Sequence, residues 1–161
     1  NNYPTSGKIS WNDLDKFPLT FAAAQESMRL KPVAPMTPLE NINDEVILGY
    51  FIKKGTSITA LLSSESFNEE LFPNPEAFSP NRWINMSSES RKVIDKSLMP
   101  FGGGARMCPG RQLSFIEIKL SLIEILYRFK FERAEKESKT KEKMLFTLVP
   151  ENLMIKVTHR L

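Results

Sequence analysis

Cysteine and histidine are nearly absent from this chain of 161 residues, which contains only Cys108 and His159 of these two types. One cysteine permits no internal disulfide, as is usual for proteins that fold in the cytosol or facing it. Together the two residues fall short of the roughly four ligands of a structural zinc site. A disulfide scaffold and a zinc domain are therefore excluded.

Long apolar runs and a strong charge of one sign are also missing. The longest apolar segment, LSFIEIKLSLIEILYRF, is interrupted by Glu117, Lys119 and Glu124, so no membrane span is predicted. A net charge of +3 gives little support for a nucleic-acid partner, and we predict none. The chain begins NNYPTSGK, without an initiator Met or a signal-peptide pattern, and we expect a fragment that lacks its N-terminal part.

Two segments have helical periodicity. FPLTFAAAQESMRL predicts a helix over 17–30, which must end near Lys31 because three prolines follow. GRQLSFIEIKLSLIEILYRF predicts a longer helix over 110–129. Its apolar surface surrounds only a narrow polar stripe, so we expect this helix to be largely buried.

Short apolar runs between turn residues predict two hairpins. EVILGYFI and TSITALL, joined by KKG, form the first over 45–62, and MLFTLV and LMIKV, on either side of PEN, form the second over 144–157. The charged segment 132–143 is predicted to be a solvated loop. Residues 63–100 contain several prolines and aromatic residues, which favours an irregular but packed segment.

The lone cysteine lies in FGGGARMCPG, residues 101–110. A lone cysteine is usually a small buried apolar residue, but its neighbours here favour chemistry. Pro109 suits the first position of the following helix, which puts Cys108 at or beside the N-cap, where backbone N–H groups stabilise a thiolate. Arg106 adds positive charge, and the glycines allow close approach to a large or flat group.

Three kinds of site could use such a loop. A phosphate-binding loop would need the GK[ST] that is missing here. A cysteine nucleophile would need a base, and nothing in the sequence puts His159 nearby. A thiolate ligand to haem iron needs only one protein ligand. A cysteine-based redox protein is the weakest alternative, because no resolving cysteine exists.

FGGGARMCPG resembles the F-x-x-G-x-R-x-C-x-G signature of the cytochrome P-450 haem-thiolate monooxygenases, with every fixed position filled: Phe101, Gly104, Arg106, Cys108 and Gly110. Upstream, QESMRL resembles the family's E-x-x-R helix and FPNPEAFSPNRW its P-E-R-F region. The three marks stand in the family's order. The resemblance extends from about residue 9 to the C-terminus.

This resemblance implies the C-terminal part of one cytochrome P-450-type domain, mainly α with small β-sheets. It implies haem b (iron protoporphyrin IX), with Cys108 as the axial ligand and Arg106 on a propionate. The remaining residues of the cofactor loop are Phe101, Gly102, Gly104 and Gly110. A structural charge triad comprises Glu26, Arg29 and Arg82, and the edge of the substrate pocket comprises Val33, Met36, Asn152 and Leu153.

The complete protein is expected to insert one oxygen atom of O2 into a small apolar substrate, with electrons from an NADPH-dependent reductase or another donor. The family's oxygen-activating helix should lie upstream, so we expect the isolated fragment to be inactive. An anchor in the missing part would place the protein at the endoplasmic reticulum membrane, facing the cytosol.

Two alternatives remain. An O2-independent haem-thiolate isomerase or dehydratase would differ only in the missing helix. A non-catalytic remnant is favoured by two departures from the family pattern, which often has propionate-binding residues near Leu39 and near Ser66 and Phe67.

Overall fold

The computed structural model describes residues 3–4, 7–134 and 140–160. Within these residues there are three α-helices: α1 (Pro18–Leu30), α2 (Ser88–Ser97) and α3 (Arg111–Arg128). Short 3₁₀ segments occur at Trp11–Lys16, Ser64–Phe67, Pro80–Trp83 and Gly104–Arg106. Helices combined with small sheets agree with the fold class expected from the sequence. α1 coincides with the helix predicted over 17–30, and the prolines after Lys31 end it there.

The strands form two-stranded antiparallel sheets, and each strand pairs with one partner. β1 pairs with β4, β2 with β3, β5 with β8, and β6 with β7. The eight strands in the described part of the chain are β1 (Met36–Glu40), β2 (Glu45–Ile47), β3 (Tyr50–Ile52), β4 (Ser57–Leu61), β5 (Phe129–Arg133), β6 (Lys141–Met144), β7 (Leu148–Glu151) and β8 (Ile155–His159).

The hairpin predicted over 45–62 is wrong in its pairing. Leu48 and Gly49 both have positive φ angles, 51° and 84°, and this two-residue turn divides the predicted strand 45–52 into β2 and β3. β4 is then free to pair with β1, where Met36 lies opposite Leu61. The sequence had indicated only a proline-rich connection at β1, but an edge strand tolerates its proline because one side of the strand forms no ladder.

The hairpin predicted over 144–157 is also wrong in its pairing. Asn152 has a φ of 61°, and the turn there directs β7 and β8 to different partners, β6 and β5. Both partners include residues of the charged segment 132–143, so that segment is not simply a solvated loop. Its residues 135–139 lie outside the described part of the chain.

The proline-rich segment 63–100 is more ordered than its sequence indicated, because it contains α2. The Ser87 side chain accepts a hydrogen bond from the backbone N–H of Ser90 and so caps this helix. Phe72 is fully buried, which supports the expectation of a packed segment. The neighbouring aromatic residues Phe67 and Phe78 are exposed.

α3 is much less buried than its apolar pattern predicted. Ile123 is its only buried residue, and Leu113 is 57% exposed. The described contact of α3 with another helix is made with α1, where Phe21 meets Phe115 edge to face at 5.1 Å between ring centroids. The periodic pattern therefore identified a face suited to burial, but the described residues cover only part of it.

A buried carboxylate, that of Glu26, joins α1 to the segment that follows the sheets. Arg29 donates to both of its oxygens, from Nε at 3.0 Å and from Nη2 at 2.9 Å. Nε of Arg82, the backbone N–H of Ser79 and Nε1 of Trp83 donate to the same carboxylate at 3.0, 2.9 and 2.8 Å. Glu26 and Arg29 are 0% and 1% exposed. Such a buried pair requires all these bonds to offset its desolvation.

The two arginines extend this cluster to the backbone of distant segments. Arg29 donates to the carbonyl of Ser66, and its guanidinium lies 4.9 Å from the centroid of the Phe72 ring. Arg82 donates from Nη1 to the carbonyl of Pro73 at 3.0 Å. The triad residues thus lie together and connect α1 to residues 66–82.

Glu26→Ala should lower the free energy of unfolding by roughly 3–5 kcal/mol, because it leaves two arginines without their buried partner. Urea denaturation followed by circular dichroism measures this change. Glu124→Ala is the matched control, since Glu124 also contacts an arginine of its own helix, at 2.8 Å, but at the surface. We expect the control to cost less than about 1 kcal/mol. Equal losses in the two variants would contradict the structural importance of the cluster.

Acid should weaken the fold through the same carboxylate. Burial raises the pKa of Glu26, but the hydrogen bonds from Arg29, Ser79 and Trp83 outweigh it and lower the pKa from 4.5 to about 2. Because the unfolded chain keeps the ordinary value, the contribution of Glu26 to stability is full above pH 4.5 and is lost by about pH 2. Urea denaturation of the wild type across this window should show the loss.

Glu26→Gln should lack this component of the pH dependence. Asp13, whose pKa is also lowered, by hydrogen bonds from Lys16 and Ser10, contributes equally to both proteins, so the difference between them isolates Glu26. An unchanged slope in the Glu26→Gln variant would refute this assignment.

Candidate functional site

The loop Phe101–Gly110 is closed by its own backbone. The N–H of Cys108 donates to the carbonyl of Phe101 at 2.9 Å, and the N–H of Met107 donates to the carbonyl of Gly104 at 3.2 Å. The first bond brings together two residues that are seven apart in the sequence. This cysteine loop therefore has a defined shape at the position of the sulfur.

Glycine is required by the backbone at two positions of the cysteine loop. Gly102 and Gly104 have φ angles of 71° and 64°, which other residues rarely adopt, and a Cβ at either would meet nothing within 4 Å. Gly110, by contrast, has a φ of −79°, which any residue adopts. A Cβ added at Gly110 would make an ordinary contact with Sγ of Cys108, at 3.7 Å.

Cys108 is exposed, so the interpretation of a small buried apolar residue is wrong. The N-cap position expected for it is also wrong, because the N-cap of α3 is Gly110. Residues 108–111 form a turn in which the N–H of Arg111 donates to the carbonyl of Cys108 at 3.3 Å. Pro109 occupies the second position of this turn, which its fixed φ favours, rather than the first position of the helix.

Arg106 ends the 3₁₀ turn of the cysteine loop, two residues before Cys108, and is exposed. Among the described residues, its guanidinium makes no ion pair or hydrogen bond with the protein. It is therefore a positive charge beside an accessible thiol, available to an anionic group of a ligand.

The cysteine loop is anchored by aromatic rings at Phe101, its first residue. The ring of Phe101 meets that of Phe115 at 5.1 Å, and Phe115 meets Phe21 at the same separation. This row of rings connects the cysteine loop through α3 to α1. The family resemblance had implied Phe101 as a residue of the cofactor loop, whereas Phe115 and Phe21 had been given no role in the site.

The four residues predicted to border a substrate pocket are all exposed and lie in two segments: Val33 and Met36, and Asn152 and Leu153. The segments are joined by a hydrogen bond from the N–H of Leu148, at the start of β7, to the carbonyl of Val33 at 2.8 Å. β7 leads directly into the turn at Asn152. The described contacts join these two segments but do not connect them to Cys108.

Sequence reasoning also missed Trp83, which donates to Glu26, and Ser66, whose carbonyl accepts from Arg29. Trp83 follows Arg82 directly, so the motif that contained the arginine also contained this signal. Ser66 had no signal of its own, because its role depends on a backbone carbonyl.

Comparison with known proteins gives one consistent result. The sequence profile of the cytochrome P450 family matches residues 3–157. The chain is 38% identical to cytochrome P450 27C1 of Danio rerio over 120 residues, which are 74% of this chain and 22% of that protein. It is 31% identical to a steroid (22S)-hydroxylase of Oryza sativa subsp. indica over 156 residues, which are 96% of this chain and 30% of that protein.

Solved structures agree with the sequence comparison. The chain superimposes on the cytochrome P450DA heme domain with a TM-score of 0.83 and 28% identity, covering 98% of this chain and 34% of that one. The chain thus spans less than a third of the length of the curated relatives named above. None of the helices in the described residues combines the length and apolar character needed to cross a membrane. From the family profile and the extent of these matches, the chain belongs to the cytochrome P450 family.

Proposed function

We propose that this chain supplies the proximal half of a haem site in a monooxygenase, with Cys108 as the axial thiolate ligand of haem b. The observation that carries the proposal is the exposed Cys108 thiol in a loop closed by the hydrogen bond from its own N–H to the Phe101 carbonyl. Membership of the family implies a haem cofactor. An exposed sulfur on a fixed loop is the form of ligand that such a cofactor requires.

The residues around Cys108 fit a large, flat, anionic group. The space beside Gly102 and Gly104 is free of other atoms within 4 Å of an added Cβ. Arg106 offers an unpaired guanidinium to a propionate. Met107 and Leu113 expose 46% and 57% of their surface, and an apolar ring system would cover surface of this kind.

Each residue then has a task of its own. Cys108 would hold the metal and supply electron density to it, and the closed backbone of the cysteine loop fixes the direction of its sulfur. Arg106 orients the cofactor through a charge-assisted bond. Phe101, held by Phe115, keeps the back of the cysteine loop apolar and excludes water. Gly110 leaves a free approach to the sulfur, and the Glu26, Arg29 and Arg82 cluster supports these elements.

Haem, when bound, supplies the iron at which O2 is activated. In the overall reaction, one oxygen atom enters a C–H bond of an apolar substrate as a hydroxyl group. The other oxygen atom takes up two protons and two electrons and leaves as water. The electrons come from an NADPH-dependent reductase or another donor. Val33, Met36, Asn152 and Leu153, all exposed, are proposed to border the substrate. The named hydroxylases and monooxygenases among the relatives support this class of reaction.

The cysteine assignment is tested by the reduced carbon monoxide difference spectrum of the complete protein that contains this chain. We expect a strongly red-shifted Soret band, which Cys108→Ala removes because the thiolate is lost. Two double variants serve as controls. Met107→Cys, Cys108→Met moves the cysteine by one residue, and Met107→Ala, Cys108→Met replaces it without providing another cysteine. Neither should restore the band. A band that survives in Cys108→Ala would refute the assignment, and a folded wild type without haem would favour the non-catalytic remnant.

Arg106→Ala should increase the rate of haem loss by about 10–100-fold, since one charge-assisted hydrogen bond contributes about 1.5–3 kcal/mol. Haem transfer to excess apomyoglobin measures this rate. Arg106→Lys should retain part of the effect because it keeps the charge. Arg111→Ala is the control, because Arg111 is also close to the cysteine loop in the sequence but lies over the Phe115 ring, at 5.5 Å. Equal rates in the wild type and Arg106→Ala would exclude the propionate contact.

A further inference from the structure

Arg91 connects helix α2 to the rest of the protein. Among the described residues, the other side-chain hydrogen bonds of α2 stay within the helix and its N-cap, whereas Arg91 reaches Gln25 of α1. Ile94 is the buried residue of this helix. The position of α2 therefore depends on what Arg91 contacts.

Three groups surround the guanidinium of Arg91. Its Nε donates to Oδ1 of Asp95, one turn later in the same helix, at 3.1 Å. The guanidinium lies 5.6 Å from the centroid of the Trp83 ring, which is within the range of a cation–π contact. The terminal nitrogens face the side-chain amide of Gln25. Two of the three groups, Trp83 and Gln25, belong to other parts of the chain.

The Gln25 amide suits Arg91 as an acceptor. Turned so that its oxygen faces the guanidinium, it accepts two hydrogen bonds, from Nη1 at 3.1 Å and from Nη2 at 2.6 Å. In the opposite orientation a single bond of 3.4 Å remains, and the amide NH2 group faces the donors of an arginine, which has no acceptor. Gln25 is buried, so opposed donors would be costly there. The two residues thus form a charge-assisted contact between α2 and α1.

This contact lies directly beside the Glu26 cluster without being part of it. Gln25 precedes Glu26 in α1, and Trp83 donates to Glu26 at 2.8 Å. None of the five hydrogen bonds to the Glu26 carboxylate comes from Arg91. Loss of Arg91 would therefore leave the carboxylate with all its donors and would act on α2 and what α2 carries.

α2 leads directly into the cysteine loop. Only residues 98–100 separate the end of α2 from Phe101. The carbonyl of Met99 in this connection accepts the N–H of Gly102 at 2.8 Å, and the carbonyl of Phe101 accepts the N–H of Cys108 at 2.9 Å. Because so short a connection has little reach to absorb a shift, a displacement of α2 moves the start of the cysteine loop.

We propose that Arg91 is a positioning residue for the Cys108 thiolate. It holds α2 against α1 through Gln25, and the position of α2 determines where the cysteine loop begins. Arg91 acts through other residues and is therefore not catalytic. Its effect on a bound cofactor rests on the proposed function, whereas its attachment of α2 does not.

Amide hydrogen exchange of the complete protein that contains this chain tests the attachment of α2. Arg91→Ala should accelerate exchange in the segment 98–108 by about 10–100-fold, the effect of losing one charge-assisted hydrogen bond. The hydrogen bonds donated by Gly102 and Cys108 report on this segment. Exchange in α1 should change little, because Glu26 keeps its donors.

Three further variants separate this contact from general effects of the substitution. Gln25→Leu removes the acceptor while Arg91 stays, and should accelerate exchange in the same segment. Gln25→Glu keeps the acceptor oxygens and should retain the wild-type rate. Asp95→Ala is the matched control, because Asp95 is the 53% exposed partner of Arg91, and exposed ion pairs contribute little. Wild-type exchange of 98–108 in either Arg91→Ala or Gln25→Leu would overturn the proposal.

The reduced carbon monoxide difference spectrum tests the effect on Cys108. During a urea titration of Arg91→Ala, the red-shifted Soret band should be lost at lower urea than the circular dichroism signal, because the sulfur is misplaced before the fold is lost. In the wild type, Gln25→Glu and Asp95→Ala the two signals should be lost closer together. Coincident loss in Arg91→Ala would mean that Arg91 contributes only to global stability, which would contradict the positioning role.

The two measurements keep this proposal apart from the proposed function. A folded wild type that never shows the red-shifted band would contradict haem ligation by Cys108. The exchange rates of 98–108 would still decide whether Arg91 holds α2, because they require no cofactor signal. Conversely, a normal band in the wild type with unchanged exchange in Arg91→Ala would refute the role of Arg91 alone.

Discussion

The carboxylate of Glu26 accepts five hydrogen bonds inside the protein, two of them from Arg29. An isolated charge at this depth would be strongly unfavourable, so every donor has to arrive at the same place for the chain to fold. Those donors come from α1 and from residues 79–83. The carboxylate thereby fixes how a helix near the beginning of the chain meets an irregular segment more than fifty residues later.

The cysteine loop depends on this arrangement through two routes. On one side, the Phe101, Phe115 and Phe21 rings connect it to α1. On the other side, the N–H of Met99 contacts the carbonyl of Leu62, close to the Ser66 carbonyl that Arg29 holds. The exposed sulfur is thus carried by a short loop whose supports come from α1, α3 and the residue that follows β4. Cys108 provides the accessible group, whereas other residues keep its surroundings ordered.

Local signals in the sequence predicted α1 and α3 well, because their causes are local, but α2 was missed inside the irregular segment. Prolines end α1. The spacing of Phe101, Arg106 and Cys108 can be read from the sequence without knowing how the rest of the chain folds. Strand pairing was predicted poorly, since a turn such as the one at Asn152 can be recognised from the sequence without revealing which strands pair on either side of it. The exposure of α3 could not be predicted either, because an apolar stripe does not say where its partner lies.

All of the sheets in the described residues have two strands, so each strand has one side without a hydrogen-bonded neighbour. Isolated two-stranded sheets are marginal in water. The free energy of local opening should therefore vary steeply along the chain, from small values in β2 and β3 to nearly the global value around α1. Amide hydrogen exchange would then be fast in the strands and slow at the backbone near Glu26. The strands can rearrange or fray without disturbing the carboxylate that holds the molecule together.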